Sequence, residues 1–440
     1  MFHLTQSIGA GAGAATIAAK IETAIAGGRL PPGARLPTVR ELAAELAVSP
    51  ATVAAAYRTL RQRGLVSAQS RRGTVVSPQP PLRVRGAQPL PAGARDLASG
   101  NPDPALLPAL GPALARVDPA HKLYGGPAKL PRLAGLARAD FAEDGIEGEI
   151  AVVGGALDGI ERVLQTQLRP GDRVVIEDPT WPRINDLVHA AGLVPEPVRI
   201  DGRGLLPGEL DRALERGARV VIATPRGQNP TGAALDAQRG REIRDRLGRH
   251  PGVVVIEDDY VAAVAGAPYV PVHGTSERWV VIRSLSKVLG PDLRVAPMAG
   301  DALTISRVEG RQLLGAGWVS HLLQQTAANL WESPGTRELL AEAERTYAER
   351  RAALIGALAG HGITGYGRTG LGVWIPVAEE VTATAHLLEH GWAVSPGERY
   401  RFAAPPGIRV TTADLRPAEA AELAGALAEI TRASTATYAG

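Results

Sequence analysis

The sequence predicts an α/β protein with a small N-terminal module, a proline-rich linker and a large domain built on a mostly parallel sheet. Three observations predict this organisation. The first 77 residues contain three short helical patterns followed by a hairpin pattern. Residues 78–95 contain five prolines and no clear period. From residue 96 onward, short apolar runs alternate with helical patterns, which is typical of a parallel sheet covered on both faces.

The composition is that of an ordinary globular protein. Of 440 residues, 45% are hydrophobic and 21% are charged, which is enough for a core of normal size. The absence of cysteine excludes disulfides, thiolate metal sites and cysteine nucleophiles. The N-terminus lacks the pattern of a signal peptide, and no apolar run approaches the roughly 20 residues that cross a bilayer. We therefore expect a cytoplasmic protein with no membrane association.

The net charge of +3 hides an asymmetry along the chain. Residues 1–85 carry 11 Lys and Arg but only 3 Asp and Glu, which leaves them at +8. The remainder carries 37 basic and 42 acidic residues, which leaves it at −5. A basic module on a mildly acidic body favours a polyanionic partner for the front alone. The alternative is a solvated basic face without a partner.

The N-terminal module has the pattern of a winged helix-turn-helix. Apolar side chains recur at helical spacing in the first two helical segments. Ser49 followed by Pro50 marks the start of the third, and Gly64 ends it. In such modules the third helix enters the major groove of DNA, and the hairpin, or wing, contacts the backbone or minor groove. The helices are predicted over residues 14–27, 38–46 and 50–63, and the hairpin over 65–76 with Arg71, Arg72 and Gly73 at its tip.

A dense set of residues in this module resembles the GntR superfamily over about residues 10–77. The matching residues are Pro31–Gly33, Leu36–Pro37, Arg40–Ala43, Val48–Ser49, Thr52–Val53, Tyr57, Leu60, Gly64–Leu65 and Gly73. The resemblance implies that Arg40 and Thr52 contact DNA. Arg58, together with Arg71 and Arg72 beside Gly73 in the wing, suits phosphate contacts, because guanidinium groups pair with phosphate oxygens.

The third helix departs from that family at its start. Many relatives carry arginine where this chain has Pro50, and the following face carries Ala51 and Ala54–Ala56. Alanine contacts thymine methyl groups but does not read guanine. We therefore expect weak specificity, or specificity supplied by the wing. The alternative is a degenerate module kept for packing or dimerisation.

The chain contains only four lysines, Lys20, Lys122, Lys129 and Lys287, so few residues could form a Schiff base with an aldehyde cofactor. Lys287 stands in Ser284-Leu285-Ser286-Lys287, directly after the apolar run 279–282. Such a strand end directs an amine into the cleft where α/β proteins bind ligands. Arg294 follows seven residues later.

Four further segments precede this lysine at intervals of roughly 25 to 50 residues. Gly154–Leu157 follows a strand and opens a helix, whose free N–H groups suit a phosphate. The second segment supplies Trp181 for stacking on a ring, the third supplies Asn229, and the fourth supplies a carboxylate and a phenol. These segments are 177–182, 224–232 and 257–260. Each segment alone is weak evidence for a cofactor site. The alternative is an α/β protein that binds no such cofactor.

The ordered set resembles the fold-type I pyridoxal-phosphate (PLP) proteins of the aminotransferase class I/II group, over about residues 95–430. The resemblance implies that Lys287 forms the internal aldimine and that Asp258 pairs with the pyridinium nitrogen, with Asp259 as a competitor for that role. It also implies that Asn229 and Tyr260 bond the phenolic oxygen. The residues assigned to the phosphate and its surroundings are Gly155, Ala156, Ser284, Ser286 and Arg294.

Two residues outside these segments complete the expected site. Tyr124 resembles a family tyrosine that reaches the phosphate of a neighbouring subunit, which implies a homodimer; the alternative is a surface-loop tyrosine. Arg409, in Gly407–Val410, resembles the arginine that grips a substrate carboxylate through its planar fork. A structural salt bridge is the alternative for Arg409, and Arg401 is its rival.

A GntR-type module joined to an aminotransferase-like domain is similar to the MocR family of transcription regulators. The similarity implies a homodimeric regulator that binds double-stranded DNA and senses PLP or an amino compound. The alternatives are an active aminotransferase with Lys287, Asp258 and Tyr260 as catalytic residues, or, more weakly, a PLP-dependent lyase or decarboxylase. No metal is expected. The predicted domains are 1–77, a linker over 78–95, and 96–440, the last divided into a large domain of about 120–305 and a small domain of about 96–119 and 306–440.

Overall fold

The computed structural model describes residues 8–9, 11–26, 29–62, 64–69, 73–77, 90–274 and 276–437. The chain forms two compact units: the front unit, which contains the residues before Pro89, and the body, which contains most of those after it. Within the described residues, no helix is long and apolar enough to cross a membrane.

Among its described residues, the front unit contains three helices and a two-stranded antiparallel hairpin. Its core is apolar and fully buried, with Ile17, Leu42, Tyr57 and Leu60 at its centre. These elements are α1 (Ala14–Ala26), α2 (Val39–Leu46), α3 (Pro50–Gln62), β1 (Val66–Gln69) and β2 (Gly73–Val76).

The turn between α2 and α3 is set by local chemistry. Thr38 caps α2 in a capping box with Glu41, in which each side chain bonds the other residue's backbone N–H. Ala47 ends α2 in the left-handed conformation with φ 51°. Ser49 then accepts a hydrogen bond from the N–H of Thr52 at 3.1 Å and caps α3.

The body is organised around an eight-stranded sheet in the order β4-β11-β10-β9-β8-β5-β6-β7. The central pairs β10·β9, β9·β8 and β8·β5 are parallel, and β11 is antiparallel to both of its neighbours. The mostly parallel sheet is therefore confirmed. The strands are β4 (Glu149–Val153), β5 (Arg173–Asp178), β6 (Val194–Asp201), β7 (Gly204–Leu205), β8 (Ala218–Ala223), β9 (Val254–Asp258), β10 (Arg278–Ile282) and β11 (Ala296–Gly300).

Helices cover both faces of this sheet. On one face Val255 and its neighbours pack against α8 and α9, and Val281 packs with α5. On the other face Ile282 and Met298 contact α6. These helices and their neighbours along the chain are α4 (Leu110–Leu114), α5 (Pro131–Glu143), α6 (Ala156–Gln167), α7 (Pro182–Ala190), α8 (Pro207–Glu215), α9 (Ala237–Leu247), α10 (Ala302–Leu313) and α11 (His321–Trp331).

A smaller layer contains the C-terminal part of the body and a short N-terminal strand. Its three-stranded antiparallel sheet has the order β12-β15-β14, and a separate pair joins β13 to β3. Leu97, Leu358, Ile375 and Ile408 lie in its buried core. Its elements are β3 (Arg95–Asp96), α12 (Pro334–Gly360), β12 (Gly372–Pro376), α13 (Glu380–Glu389), β13 (Trp392–Ala393), β14 (Ser395–Pro396), β15 (Gly407–Thr411) and α14 (Pro417–Thr437).

The large domain was expected to end at about residue 305, but residues beyond that point contribute to its buried core. Ala327 in α11 and Tyr347 in α12 lie in the core next to the eight-stranded sheet. Leu354, further along α12, belongs instead to the core of the small layer. The long helix α12 thus contributes to both cores. Most of the expected linker lies outside the described residues, and its last residue, Arg95, already belongs to β3.

Candidate functional site

A cavity of about 550 Å³ lies at the carboxyl edge of the large sheet, within the size range of small-molecule sites. The loops that follow β5, β8, β9 and β10 meet there, because the ends of parallel strands face one edge. Ten residues predicted from the sequence line it. They are Ala156, Trp181, Asn229, Asp258, Tyr260, Ser284, Ser286, Lys287, Arg294 and Arg409.

Lys287 ends a short 3₁₀ turn, Leu285–Lys287, which directs its amine into the cavity. Ser284 caps this turn by accepting a hydrogen bond from the N–H of Ser286 at 3.3 Å. The Lys287 Nζ donates to the carbonyl oxygen of Gly100 at 2.8 Å. Burial and the positive charge of Arg409 lower the pKa of Lys287 to about 8, so the nucleophilic neutral amine is accessible near physiological pH.

Asp258 and Asp259 occupy different environments. Asp258 lines the cavity, and its Oδ1 is buried without a hydrogen-bond partner. Burial, with the nearby charges of Asp259 and Glu177, raises the pKa of Asp258 to about 7. Asp259 instead accepts two hydrogen bonds at 2.8 Å from Arg226 and one at 3.0 Å from Arg283. Of the two carboxylates, only Asp258 lines the cavity.

Arg294 lies beside the start of α6, where the sequence predicted a phosphate site. Its guanidinium donates to Ser286 Oγ at 3.3 Å and to the carbonyl of Gly154 at 2.9 Å. Gly155 has φ 124° and precedes α6. A β-carbon at Gly155 would collide with the Arg294 guanidinium, so glycine permits the close approach. Gly155 itself does not line the cavity, in contrast to Ala156.

Tyr260, Asn229 and Arg409 also line the cavity. The Tyr260 hydroxyl donates to the carbonyl of Gly227 at 2.6 Å, and burial raises the pKa of that phenol. Arg409 is 7% exposed and donates to Asn229 Oδ1 at 3.1 Å and to the carbonyl of Ala98. Its Nε is buried without a partner, so the guanidinium retains an unused donor.

The expected rival of Arg409 does not line the cavity. Arg401 donates to Glu380 at 2.8 Å and is held in that ion pair. The neighbouring loop is anchored by Asp178, the last residue of β5. Its carboxylate accepts hydrogen bonds from the N–H groups of 402, 403 and 404 at 2.8 to 3.0 Å. This contact joins the end of a large-sheet strand to the loop that precedes β15.

Sequence reasoning missed several residues of the lining. Ser99 and Gly100 enter from a segment almost 190 residues before Lys287. Arg183 follows Trp181, and its guanidinium carbon lies 5.8 Å from the centre of that indole ring. Nothing in the local pattern of Ser99 and Gly100 marks a site. Arg183 was detectable as a cation two residues after the predicted ring-stacking residue.

Tyr124 is absent from the cavity lining and 92% exposed. Its ring makes an edge contact with Trp318, with centroids 5.4 Å apart. Within its own chain, Tyr124 is therefore a surface residue. A role at the cofactor phosphate requires the pocket of a second subunit.

The predicted DNA-contacting residues of the front unit lie on α2, α3 and the hairpin. Arg40 on α2 and Arg58 on α3 are exposed, and Gly73 opens β2 with φ 70°. Thr52 is half-buried, and its hydroxyl lies 2.8 Å from that of Ser49. Arg71 and Arg72 lie outside the described residues.

The cavity residues fit PLP, which the domain family uses. The orphaned buried Oδ1 of Asp258 suits the protonated ring nitrogen of that cofactor, which donates one hydrogen bond. Arg294 and the free N–H groups at the start of α6 suit a phosphate. The amine of Lys287 opens onto the same cavity.

Comparison with known proteins agrees with both units. Residues 14–76 match the gntR family of bacterial regulatory proteins, and residues 96–427 match the aminotransferase class I and II family. The vitamin B6 salvage pathway transcriptional repressor PtsJ of Salmonella typhimurium is 41% identical over 395 residues, which are 88% of this chain and 91% of that protein. The pyridoxine biosynthesis transcriptional regulator PdxR of Corynebacterium glutamicum is 27% identical, over 76% of each chain.

A solved structure extends the likeness to the fold of the body. LysN, an α-aminoadipate aminotransferase of Thermus thermophilus complexed with N-(5'-phosphopyridoxyl)-L-leucine, superposes with a TM-score of 0.69 at 21% identity. The match covers 79% of this chain and 94% of LysN. At that identity the likeness concerns the fold.

The two units define a DNA-binding transcription regulator with a PLP-binding, aminotransferase-like domain. The chain belongs to the MocR family of regulators, in which a GntR-type module is joined to an aminotransferase-like domain. PtsJ and PdxR, to which the chain is similar, are both transcriptional regulators.

Proposed function

We propose that this chain regulates genes of vitamin B6 metabolism and that PLP bound in the cavity is the signal to which it responds. One observation carries the proposal: the cavity combines an accessible lysine, an orphaned buried carboxylate and three arginines. The 41% identity to a vitamin B6 salvage repressor supports the choice of pathway. As a DNA-binding regulator, the protein would act in the cytoplasm.

The residues predicted from the sequence have the following roles in this proposal. When bound, PLP supplies a reactive aldehyde and an electron-withdrawing ring. Lys287 would offer its amine to that aldehyde, and Asp258 would accept the hydrogen bond of the ring nitrogen. The remaining residues would position the cofactor: Trp181 would pack against the ring, and Asn229 and Tyr260 would hold its phenolic oxygen. Ala156, Ser284, Ser286 and Arg294 would hold its phosphate, with Gly155 beside Arg294 at the edge of this group.

Arg409 gives the cavity a place for a second component of the signal. Its unused Nε donor and its position in the lining suit the carboxylate of an amino acid, which a guanidinium binds through two oxygens. We propose that an amino compound that enters beside PLP modulates the response. The chain would act as a homodimer, in which the exposed Tyr124 reaches the phosphate of the neighbouring subunit.

The front unit would bind DNA, and its affinity would change with the ligand bound in the cavity. Arg40 and Thr52 would contact the major groove, whereas Arg58, Arg71 and Arg72 would contact phosphates with Gly73 shaping the wing. Ala51, Ala54 and Ala55 are at least partly exposed on the third helix and favour contact with thymine methyl groups, whereas Ala56 is buried in the core. We therefore expect A·T-rich half-sites.

The test measures binding of the full chain to DNA from upstream of its own gene, with and without PLP and amino acids. We expect selective binding whose affinity changes at least fivefold with PLP. The variant Lys287→Ala should lose the visible absorbance of the protein-bound cofactor and respond less to PLP. A Lys122→Ala control should behave as the wild type. DNA binding that ignores PLP at saturating concentration would overturn the proposed signal.

A working aminotransferase is the second candidate function. The observation that favours it is the retention of Lys287, Asp258, Tyr260 and Arg409 in one cavity. Multiple-turnover transfer of amino groups to a keto acid, lost in Lys287→Ala, would establish this activity. A single turnover per bound cofactor would mean that the chain acts as a regulator and not as an aminotransferase.

A further inference from the structure

Two histidines and a glutamate meet on the surface of the small layer, away from the cavity lining. His386 lies in α13, His390 directly follows that helix, and Glu429 lies in α14. The Nε2 atoms of His386 and His390 each lie 3.5 Å from the same Oε2 of Glu429. The two imidazole rings are 4.2 Å apart. Residues four apart on a helix project to one side, which explains why the rings meet.

The spacing of these atoms matches the coordination sphere of a small divalent ion. Zinc binds imidazole nitrogen at about 2.0–2.1 Å in tetrahedral geometry, which separates neighbouring ligand atoms by roughly 3.4 Å. The two measured separations from Glu429 are 3.5 Å, and all three ligand atoms lie within 4.8 Å of one another. The ligand atoms therefore need little movement to surround an ion.

The hydrogen bonding of His390 prepares it as a ligand. Its Nδ1 lies 2.9 Å from the carbonyl oxygen of His386, and because a carbonyl only accepts, Nδ1 carries the proton. In the neutral ring, Nε2 then presents a lone pair to the Glu429 carboxylate. A cation placed between them can be bound by both the imidazole nitrogen and the carboxylate. Ligating histidines commonly fix their tautomer through such a carbonyl.

His386 requires one exchange of partners. Its Nε2 also lies 3.1 Å from the carbonyl oxygen of Ala426, and metal binding replaces this hydrogen bond. The side chains of His386, His390 and Glu429 are 26%, 42% and 55% exposed, so an ion reaches them from solvent.

We propose that His386, His390 and Glu429 form a binding site for a divalent transition-metal ion, with Zn²⁺ as the best match. Two imidazoles and one carboxylate suit zinc better than magnesium or calcium, which prefer all-oxygen ligands. Three protein ligands leave a fourth position for water. The ion links α13 to α14 and thereby stabilises the small layer. This site is independent of the cavity and of the proposed response to PLP.

The experiment is a calorimetric titration of tag-free, PLP-loaded protein with ZnCl₂, in a buffer free of amino acids and unbound PLP. We expect about one Zn²⁺ per chain at this site. His390→Ala and Glu429→Gln should each weaken binding at least tenfold, since loss of a ligand exceeds the loss of an outer hydrogen bond. The control His361→Ala removes an exposed histidine at the end of α12 and should leave binding unchanged.

Two further readouts identify the ion's surroundings. Co²⁺ should produce the intense visible bands of a tetrahedral complex in the wild type and in His361→Ala, but not in His386→Ala. Zn²⁺ should raise the melting temperature of the wild type without raising that of Glu429→Gln. Wild-type affinity in His390→Ala and Glu429→Gln, or no Zn²⁺ uptake by the folded wild type, would overturn the proposal.

Discussion

Asp258 and Asp259 are neighbours in the sequence with different surroundings. Asp258 lines the cavity and lacks a partner for Oδ1, whereas Asp259 is fully buried against Arg226 and Arg283. Because successive residues of a strand point to opposite sides, one of the two had to face away from the ligand. The sequence left this choice open, since both carboxylates stand at a strand end.

The raised pKa of Asp258 predicts a pH-dependent effect of Asp258→Asn on the cofactor-free protein. In the folded state its pKa is about 7, above the ordinary value of 3.8. The wild type therefore loses stability as the pH rises from about 4 to about 7, where the buried carboxyl must ionise. Asparagine has no proton to lose. The melting temperature of Asp258→Asn relative to the wild type should thus be higher at about pH 8 than at about pH 5.

Asp259→Asn is the matched control for this experiment. It deprives Arg226 and Arg283 of a buried partner, which costs about 3–5 kcal/mol in comparable buried pairs. Its melting temperature should fall at both pH values. A shift for Asp258→Asn that is the same at both pH values would contradict the environment described for Asp258.

The lowered pKa of Lys287 predicts the pH dependence of cofactor attachment. The amine attacks in its neutral form, so the rate at which PLP binds to cofactor-free protein should rise with pH through a midpoint of about 8. Arg409→Ala removes one of the two causes of the shift and should move this midpoint upward. Stopped-flow absorbance of the protein-bound cofactor measures both. A midpoint near the ordinary 10.5 would contradict the burial of this lysine.

At the scale of elements, α3 and the hairpin carry the predicted contacts with DNA phosphates. Arg58→Ala should weaken binding about equally for all DNA sequences and reduce the slope of log affinity against log salt by about 1. The double change Arg71→Ala with Arg72→Ala should do the same with a larger change in slope. Lys20→Ala on α1 is the control of equal charge. Fluorescence anisotropy across a salt series measures these slopes, and a slope unchanged in Arg58→Ala removes α3 from the phosphate contacts.

Sequence reasoning predicted elements better than it predicted how distant elements meet. The strands before Asp178, Asp258 and Ser284 were predictable because each is a short β-branched run that ends in polar residues. The α2–α3 turn was predictable from its caps. The hydrogen bond from Lys287 to the Gly100 carbonyl was not predictable, because it depends on tertiary contacts between residues almost 190 positions apart. The same is true of the loop that Asp178 anchors, since a carboxylate bonded to distant N–H groups leaves no local pattern.

At the scale of the whole molecule, a response of DNA binding to PLP is an energetic coupling between the front unit and the body. Linkage requires that coupling to be reciprocal: if PLP changes DNA affinity by a factor α, DNA changes PLP affinity by the same factor. We expect α between about 5 and about 150. Titrating PLP into the free and the DNA-bound protein gives one value, and titrating DNA into the PLP-free and PLP-loaded protein gives the other. Equal factors above about 5, reduced towards 1 in Lys287→Ala, would establish that the cavity controls the front unit. Factors of 1 in both directions would mean that cofactor binding in the body does not change the DNA affinity of the front unit. That behaviour is expected of an enzyme that carries an uncoupled helix-turn-helix.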